Sequence, residues 1–370
     1  MLNQMNIKNI LAKGLTAFVV FFFLSVSAYA TTDPVKILFI GNSYTHMNDM
    51  PATVEKIAKS KGRNTQVKMS AVSSSTFQLH SERKELFNDI ELEKWDYVIL
   101  QGFSRELGQD IATIDSLSLP YIRKIIEAVY ANNSCTQVML YMTWGYENGY
   151  VHDERLDTYP KMSAKVEEGY AYISNKFSIP IVPVGQIYRQ FRLDIPEIQL
   201  YESDSQHPTK TASYIIAATF FASIFNESPL NAYKGNIGLD EGVKIQNLIA
   251  DFIDVNRNKY KLDVNTFSVS FYTSSVGEYE VDVRSNYPDA RSLTWSFGDG
   301  NSSKFAHLKH IYKVAGEYDL QLTVEDSCGE KKFSRTVVFL IPPKETKIKW
   351  WQRKKKKRAK LESVLIGNEE

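Results

Sequence analysis

The stretch VKILFIGNSYT, residues 35–45, gives the clearest indication of the fold of this 370-residue chain. Its apolar first half predicts a buried strand, and residues 49–61 predict a helix. Ser43 therefore stands in a turn between a strand and a helix, where α/β sheets place functional groups. The motif favours either a nucleophile or a helix cap at Ser43.

On either side of this stretch, strand-like and helix-like runs alternate up to about residue 262, which predicts an α/β fold with a parallel sheet covered on both faces. The carboxyl ends of parallel strands share one edge, and Ser43, Gln101 and Trp144 fall at such ends. The further strands are predicted at 66–69, 97–101, 137–142 and 179–184, and helices near 115–132, 158–177, 212–225 and 240–256.

The composition changes after Lys261, where helix-like runs give way to short alternating strands separated by turn formers. Residues 265–341 predict a small C-terminal β-sandwich. We therefore expect one domain over residues 31–262 and a second over 263–342.

Both ends of the chain differ from these domains. Residues 1–30 combine Lys8 and Lys13, a short apolar run and Ala28-Tyr29-Ala30, which predicts a cleaved signal peptide rather than an uncleaved membrane anchor. We therefore expect a secreted, periplasmic or cell-surface protein. Residues 343–370 predict a basic, disordered tail, with contact to an anionic surface through RKKKKR (353–358) as the alternative.

Charge and cysteine content exclude some classes of function. The formal net charge of +1 falls to −1 without residues 1–30, which hold two lysines and no acid, so no nucleic-acid partner is expected. Cys135 and Cys328 fall in different predicted domains, and no disulfide framework is predicted from them. No zinc-type Cys/His spacing occurs, and no metal site is expected.

A second motif, DSQH at residues 204–207, supplies an acid and a base three residues apart. A tight turn there brings both side chains to one side, and with Ser43 they compose the set used by serine hydrolases. His46 and His80 are rival bases, but neither has an acid three residues before it in a comparable turn.

These two blocks, Gly41-Asn42-Ser43 and Asp204-Ser205-Gln206-His207, make residues 31–258 resemble the SGNH (GDSL-like) hydrolases. The resemblance implies a flavodoxin-like three-layer α/β/α fold with Ser43 as nucleophile, His207 as base and Asp204 as its orienting acid. No cofactor or metal is implied.

The blocks that supply the oxyanion hole in that family depart from its pattern. AVSSSTFQLH (71–80) lacks the usual glycine, and Gly102-Phe103-Ser104-Arg105 replaces the usual G-x-N-D, so the asparagine donor is absent. Ser73 or Ser74 stands in the place of the glycine, and the amide of Ser74 and the side chain of Gln101 are the expected substitute donors.

The C-terminal part resembles PKD domains, which are immunoglobulin-like sandwiches, through WSFGDG (295–300), His310-Ile311-Tyr312 and Gly316-Glu317-Tyr318. The resemblance implies that these residues are structural and that the module spaces or attaches a secreted enzyme.

Together the motifs predict a secreted serine esterase that deacylates, and specifically deacetylates, carbohydrate esters. A short-chain lipid esterase is the alternative among enzymes. The alternative of another class is a non-catalytic glycan-binding or adhesion protein with a decayed hydrolase domain, which the altered oxyanion blocks motivate. A nucleotide-binding domain is disfavoured, because no glycine-rich phosphate motif follows the first strand.

Overall fold

The structure, a computed structural model, describes residues 33–263, 267–273, 279–287 and 290–339. The predicted signal peptide and the predicted basic tail lie outside the described residues. No helix in these ranges combines the length and the hydropathy that a membrane span requires.

The N-terminal part is built on a five-stranded parallel sheet in the order β2-β1-β3-β4-β5. This is the flavodoxin-like strand order, in which the order reverses between β1 and β3. The predicted fold class is confirmed. The strands are β1 (Val35–Gly41), β2 (Thr65–Ala71), β3 (Tyr97–Leu100), β4 (Gln137–Tyr141) and β5 (Ile181–Val182).

Helices alternate with these strands, as expected for parallel crossovers. The predicted helices are present. The helices α1, α3, α4 and α8 were not predicted, because the first three are short and α8 begins within a segment that reads as strand. The helices are α1 (Ser43–His46), α2 (Met50–Ser60), α3 (Phe77–Glu82), α4 (Lys84–Glu91), α5 (Ile111–Leu117), α6 (Leu119–Asn132), α7 (Tyr159–Phe177), α8 (Val184–Asp194), α9 (Lys210–Phe225) and α10 (Leu239–Asn256), with short 3₁₀ turns at Met47–Asp49 and Glu106–Gly108.

The core of this part forms where α9 packs against the sheet. All residues of α9 from Ala212 to Ile224 are buried, as expected for a helix that is apolar on every side. Phe220 of α9 meets Phe39 of β1 edge to face, with ring centroids 5.2 Å apart. This contact packs α9 against the strand that precedes Ser43.

The C-terminal part contains two antiparallel sheets with the orders β10-β7-β6 and β12-β11-β8-β9. Their side chains form a second hydrophobic core around the fully buried Trp295, as the predicted sandwich requires. The division into domains at residue 262 stays a prediction. The strands are β6 (Phe267–Thr273), β7 (Tyr279–Ser285), β8 (Ser292–Ser296), β9 (Ser302–Ser303), β10 (His307–Tyr312), β11 (Gly316–Asp326) and β12 (Gly329–Phe339).

Cys135 and Cys328 form a disulfide, with Cα atoms 5.6 Å apart, which their positions in different predicted domains did not predict. Cys135 lies just before β4, and Cys328 lies in the turn between β11 and β12. The two cysteines are 193 residues apart in the sequence, and no sequence pattern indicates that they are close in the fold. The bond joins the C-terminal hairpin to the amino-terminal edge of the parallel sheet, opposite the edge where Ser43 lies.

We expect this bond to be detectable and stabilising. Non-reducing peptide mapping should yield one peptide pair containing Cys135 and Cys328, which separates on reduction. Closing so long a loop restricts the unfolded chain, and Cys135→Ser/Cys328→Ser should lower the free energy of unfolding by about 2–5 kcal/mol in denaturant titrations. Two titratable thiols in the denatured, unreduced protein would contradict the assignment.

Candidate active site

Three sequence-predicted residues meet at the carboxyl edge of the parallel sheet. Ser43 Oγ lies 2.9 Å from His207 Nε2, and the other ring nitrogen, Nδ1, is hydrogen-bonded to the carboxylate of Asp204. The acceptor carboxylate places the proton on Nδ1 and leaves Nε2 free to accept from the serine hydroxyl. The site lies next to the reversal of strand order between β1 and β3, where ligands bind in open α/β sheets.

The Asp204 carboxylate is held in one orientation by backbone groups. Its Oδ1 accepts from the amides of Gln206 and His207, both at 2.9 Å, while its other oxygen faces the imidazole. Burial opposes ionisation, but the hydrogen bonds from the His207 ring and from the two amides outweigh it and keep the pKa of Asp204 below its usual range. The carboxylate is therefore charged at neutral pH and suited to hold an imidazolium.

The turn that carries Asp204 and His207 is closed by its own backbone. The amide of Glu202 donates to the carbonyl of His207 at 2.8 Å, and the amide of Ser205 donates to the carbonyl of Glu202 at 2.9 Å. Ser205 takes a left-handed conformation with φ of 60°. This is the tight turn that the spacing of DSQH predicted.

Two side chains outside the motif fix this turn to the sheet. Asn48 donates through Nδ2 to the carbonyl of Pro208 at 3.1 Å, and the indole of Trp144 donates to the carbonyl of Gln206 at 3.0 Å. Sequence reasoning missed Asn48, because nothing in the sequence shows which loop lies opposite it.

Tyr44 and Trp144 are packing residues and not an exposed platform. Tyr44 stacks on Trp144, and Trp144 stacks on Tyr188, with centroids 4.3 Å apart in each pair. The edge of this buried stack meets the ring of His207 at 5.4 Å. The aromatic stack therefore supports the imidazole from within the fold.

The strand-to-helix turn at Ser43 is held by Asn42 and Gly41. Asn42 accepts the Tyr44 amide through Oδ1 and donates through Nδ2 to the carbonyls of Ser75 and Gly102. A Cβ on Gly41 would lie 2.2 Å from Thr45 Oγ1, so no larger residue fits there without displacement. The first two residues of the Gly41-Asn42-Ser43 motif thus shape the turn that presents the serine.

Gln101 does not have the accessible side chain that the predicted oxyanion donor requires. Its side chain is fully buried, and Oε1 accepts from the amide of Asn42 and the hydroxyl of Thr45, both at 2.9 Å. Its Nε2 donates to the carbonyl of Gly102. Gln101 therefore braces the turn that carries Ser43 from below, where no substrate can reach it.

Ser74 remains a candidate amide donor. It lies exposed in the loop after β2 with φ of 60°, a left-handed conformation that glycine adopts at lower cost. The loop begins with a hydrogen bond from the amide of Val72 to the carbonyl of Gly41 and ends where Asn42 holds Ser75. Ser74 thus has the conformation of the glycine that it replaces in the resemblance.

Glu106, which sequence reasoning missed, connects the loops after β2 and β3. Its carboxylate accepts from the amides of Phe77 and Phe103 at 3.0–3.1 Å and from the hydroxyl of Ser118 at 3.2 Å. Burial raises the pKa of Glu106 to about 7, against the opposing effect of these three donors. No motif marks this residue, because its donors come from three separate segments.

The rival bases are engaged elsewhere. His80 is fully buried beside Arg83, and burial together with that cation lowers its pKa to about 4. His46 Nε2 lies 2.9 Å from the hydroxyl of Ser73. Across the described residues, no cluster of three or more His, Cys, Asp or Glu side chains is arranged to hold a metal ion.

Comparison with known proteins agrees with this architecture. Residues 273–341 match the family model of the PKD domain, which confirms that part of the prediction. Over 55 residues the chain is 38% identical to collagenase ColA of Bacillus cereus, a stretch that covers 15% of this chain and 6% of the collagenase.

Solved structures resemble the N-terminal part. A DUF4886 family protein from Bacteroides uniformis matches with a TM-score of 0.53 at 19% identity, over 60% of this chain and 95% of that one. A putative SGNH hydrolase from Slackia heliotrinireducens matches with a TM-score of 0.44 at 22% identity, over 52% and 99% of the two chains. The first likeness supports the fold, and the chemistry rests on the residues described above.

Proposed function

We propose that this chain, an SGNH-hydrolase-like fold followed by a PKD domain, is a serine esterase with Ser43 as nucleophile. The observation that carries the proposal is the continuous hydrogen-bonded series from Asp204 through His207 to Ser43. His207 takes the serine proton as the hydroxyl attacks an ester carbonyl, and Asp204 stabilises the imidazolium that forms. The proton then passes to the leaving alcohol, and water releases the acyl group by the same steps.

The tetrahedral intermediate needs donors for its oxyanion, and we assign this role to the amides of Ser43 and Ser74. Loss of one such donor typically lowers kcat by about 10²- to 10³-fold. Because the Gln101 side chain is buried and braces the Ser43 turn, only these two backbone amides are assigned as oxyanion donors in the proposed mechanism.

We propose acylated carbohydrate, with acetyl as the acyl group, as the substrate class. Support comes from the openness of the site, since 29% of the His207 side chain and 45% of the Asp204 side chain are exposed. A serine and histidine at an open sheet edge are accessible to an ester on a bulky polymer. A short-chain lipid esterase is less well supported, because such a substrate favours an enclosed apolar pocket.

We further propose that the protein acts outside the cytoplasm, in the periplasm or at the cell surface. The Cys135–Cys328 disulfide supports this location, because such bonds persist in oxidising compartments. The predicted signal peptide at residues 1–30 agrees with it.

A non-catalytic glycan-binding protein is the second candidate, and one observation favours it. The side chain expected to replace the asparagine donor of the oxyanion hole is buried in a structural role. This candidate predicts an intact triad geometry without turnover.

Labelling with a fluorophosphonate probe, followed by peptide mapping, separates the two candidates. The esterase should react at Ser43 and hydrolyse p-nitrophenyl acetate, and it should release acetate from acetylated polysaccharides faster than it cleaves longer acyl esters. A folded protein that neither labels nor turns over any of these esters would favour the binding protein.

A further inference from the structure

The segment from Ser43 to Asn48 contacts both loops that the proposed mechanism needs. Asn48, at its end, holds the loop of His207 through the carbonyl of Pro208. His46, one helical turn after Ser43, holds the loop after β2 through Ser73. The proposed function leaves this second contact without a role.

The loop of residues 72–75 is fixed at both ends by the turn that precedes Ser43. The amide of Val72 donates to the carbonyl of Gly41 at 3.0 Å, and Asn42 Nδ2 donates to the carbonyl of Ser75 at 3.3 Å. Between these anchors Ser73 and Ser74 are exposed, and Ser74 is in the left-handed conformation. Backbone in this conformation is costly for a serine and persists where neighbouring contacts hold it.

His46 supplies a contact at the centre of this loop. Its Nε2 lies 2.9 Å from the Ser73 hydroxyl, one residue before the amide assigned to the oxyanion. Ser43 and His46 lie three residues apart in α1, so both project from the same side of one helical turn. The contact therefore joins the nucleophile and the amide donor through a single short helix.

We propose that His46 is a positioning residue, which acts through Ser73 to hold the Ser74 amide at the correct distance from Ser43. The inference rests on the proposed esterase function. His46 touches no reacting atom in this assignment. Its effect is on the placement of the oxyanion donor, which lowers the energy of the transition state more than that of the bound substrate.

A double-mutant cycle tests the proposal with His46→Ala, Ser73→Ala and the combined variant. We expect each single change to lower kcat about tenfold, less than the 10²- to 10³-fold loss of a complete donor. KM should change by less than about twofold, because ester binding in the ground state does not depend on this amide. The combined variant should be no slower than either single variant, because both remove one contact.

His46→Gln provides the conservative rescue, because its amide both donates and accepts and reaches a similar distance. It should restore most of kcat. His307→Ala is the matched control, because His307 is exposed in the C-terminal part and also holds one polar partner, Asp282. It should retain full activity, and thermal unfolding should show that all variants are folded.

The outcomes distinguish this inference from the proposed function. An inactive wild-type protein would overturn the esterase itself. An active wild type whose His46→Ala variant keeps its kcat would overturn the positioning role alone. Losses that multiply in the combined variant would show that His46 and Ser73 act separately, which also contradicts the proposal.

Discussion

Ser43→Ala should abolish ester hydrolysis, with kcat falling about 10⁶-fold in p-nitrophenyl acetate assays. The hydroxyl is the proposed attacking group, and the amides assigned to the oxyanion hole provide only the residual acceleration. His207→Ala should lose a comparable amount, because Nε2 accepts the serine proton. The effects of substituting residues that act as one unit are not additive, so the combined variant should be no slower than either single variant.

Two measurements test whether the loss of activity in Ser43→Ala comes from misfolding. Circular dichroism and thermal unfolding should match the wild type, since the Ser43 hydroxyl lies at the sheet edge outside the hydrophobic core. Ser104→Ala provides a comparison for the unfolding measurements, because it removes the hydroxyl of a buried serine that is bonded to the Tyr146 hydroxyl at 2.7 Å. A Ser43→Ala variant with wild-type kcat would place the nucleophile elsewhere and overturn the proposed mechanism.

Glu106 should make the protein more stable at about pH 5 than at about pH 8. Burial raises the pKa of this carboxyl from an unfolded value near 4.5 to about 7, so the folded state binds its proton more tightly. Tighter proton binding by the folded state therefore stabilises it fully below the unfolded pKa of Glu106, and this stabilisation is lost as pH rises through 7. The shift corresponds to about 3 kcal/mol in the free energy of unfolding.

Glu106→Gln should remove this part of the pH dependence, because glutamine does not titrate. Denaturant titrations at several pH values between about 4.5 and 8 measure the change in slope directly. Glu91→Gln is the control, because Glu91 is exposed at the end of α4. If Glu106→Gln and the wild type have the same slope, burial does not perturb this carboxyl as described.

The same substitution should slow catalysis in the esterase. Glu106 accepts amides from the loops after β2 and β3, and a glutamine would turn an NH₂ group toward one of these donors. A buried donor left without an acceptor costs about 1–3 kcal/mol, and the loop that carries Ser74 is the adjacent segment. We therefore expect kcat at pH 8 to be lower in this variant than in the wild type.

The parts of the fold that follow from periodicity were predictable from sequence. The apolar run before Ser43 marks a strand buried on both faces, and the alternation that follows specifies parallel crossovers. The spacing of Asp204 and His207 marks a turn, which the structure forms. Each of these depends on residues adjacent in the chain.

The contacts that adjust the candidate site were not predictable, because they join distant loops. Gln101 follows β3 at the sheet edge and reads as an accessible donor, but its side chain turns inward to accept from Asn42. Glu106 and Asn48 have partners that lie up to 165 residues away in the chain. The disulfide shows the same limit, because its two cysteines lie in parts of the chain that the sequence predicts as separate domains.

The disulfide also determines which residues would bear mechanical tension. When a force is applied between β1 and β12, the covalent path that carries it runs from Cys135 directly to Cys328. The disulfide thereby bypasses the 193-residue separation between the two cysteines. The segment with Asp204 and His207 then lies off the loaded path, as does the connection after α10. While the bond is intact, a protein held at one end and pulled at the other carries the tension through the disulfide and not through the turn of Asp204 and His207. Reduction would place that turn in series with the load.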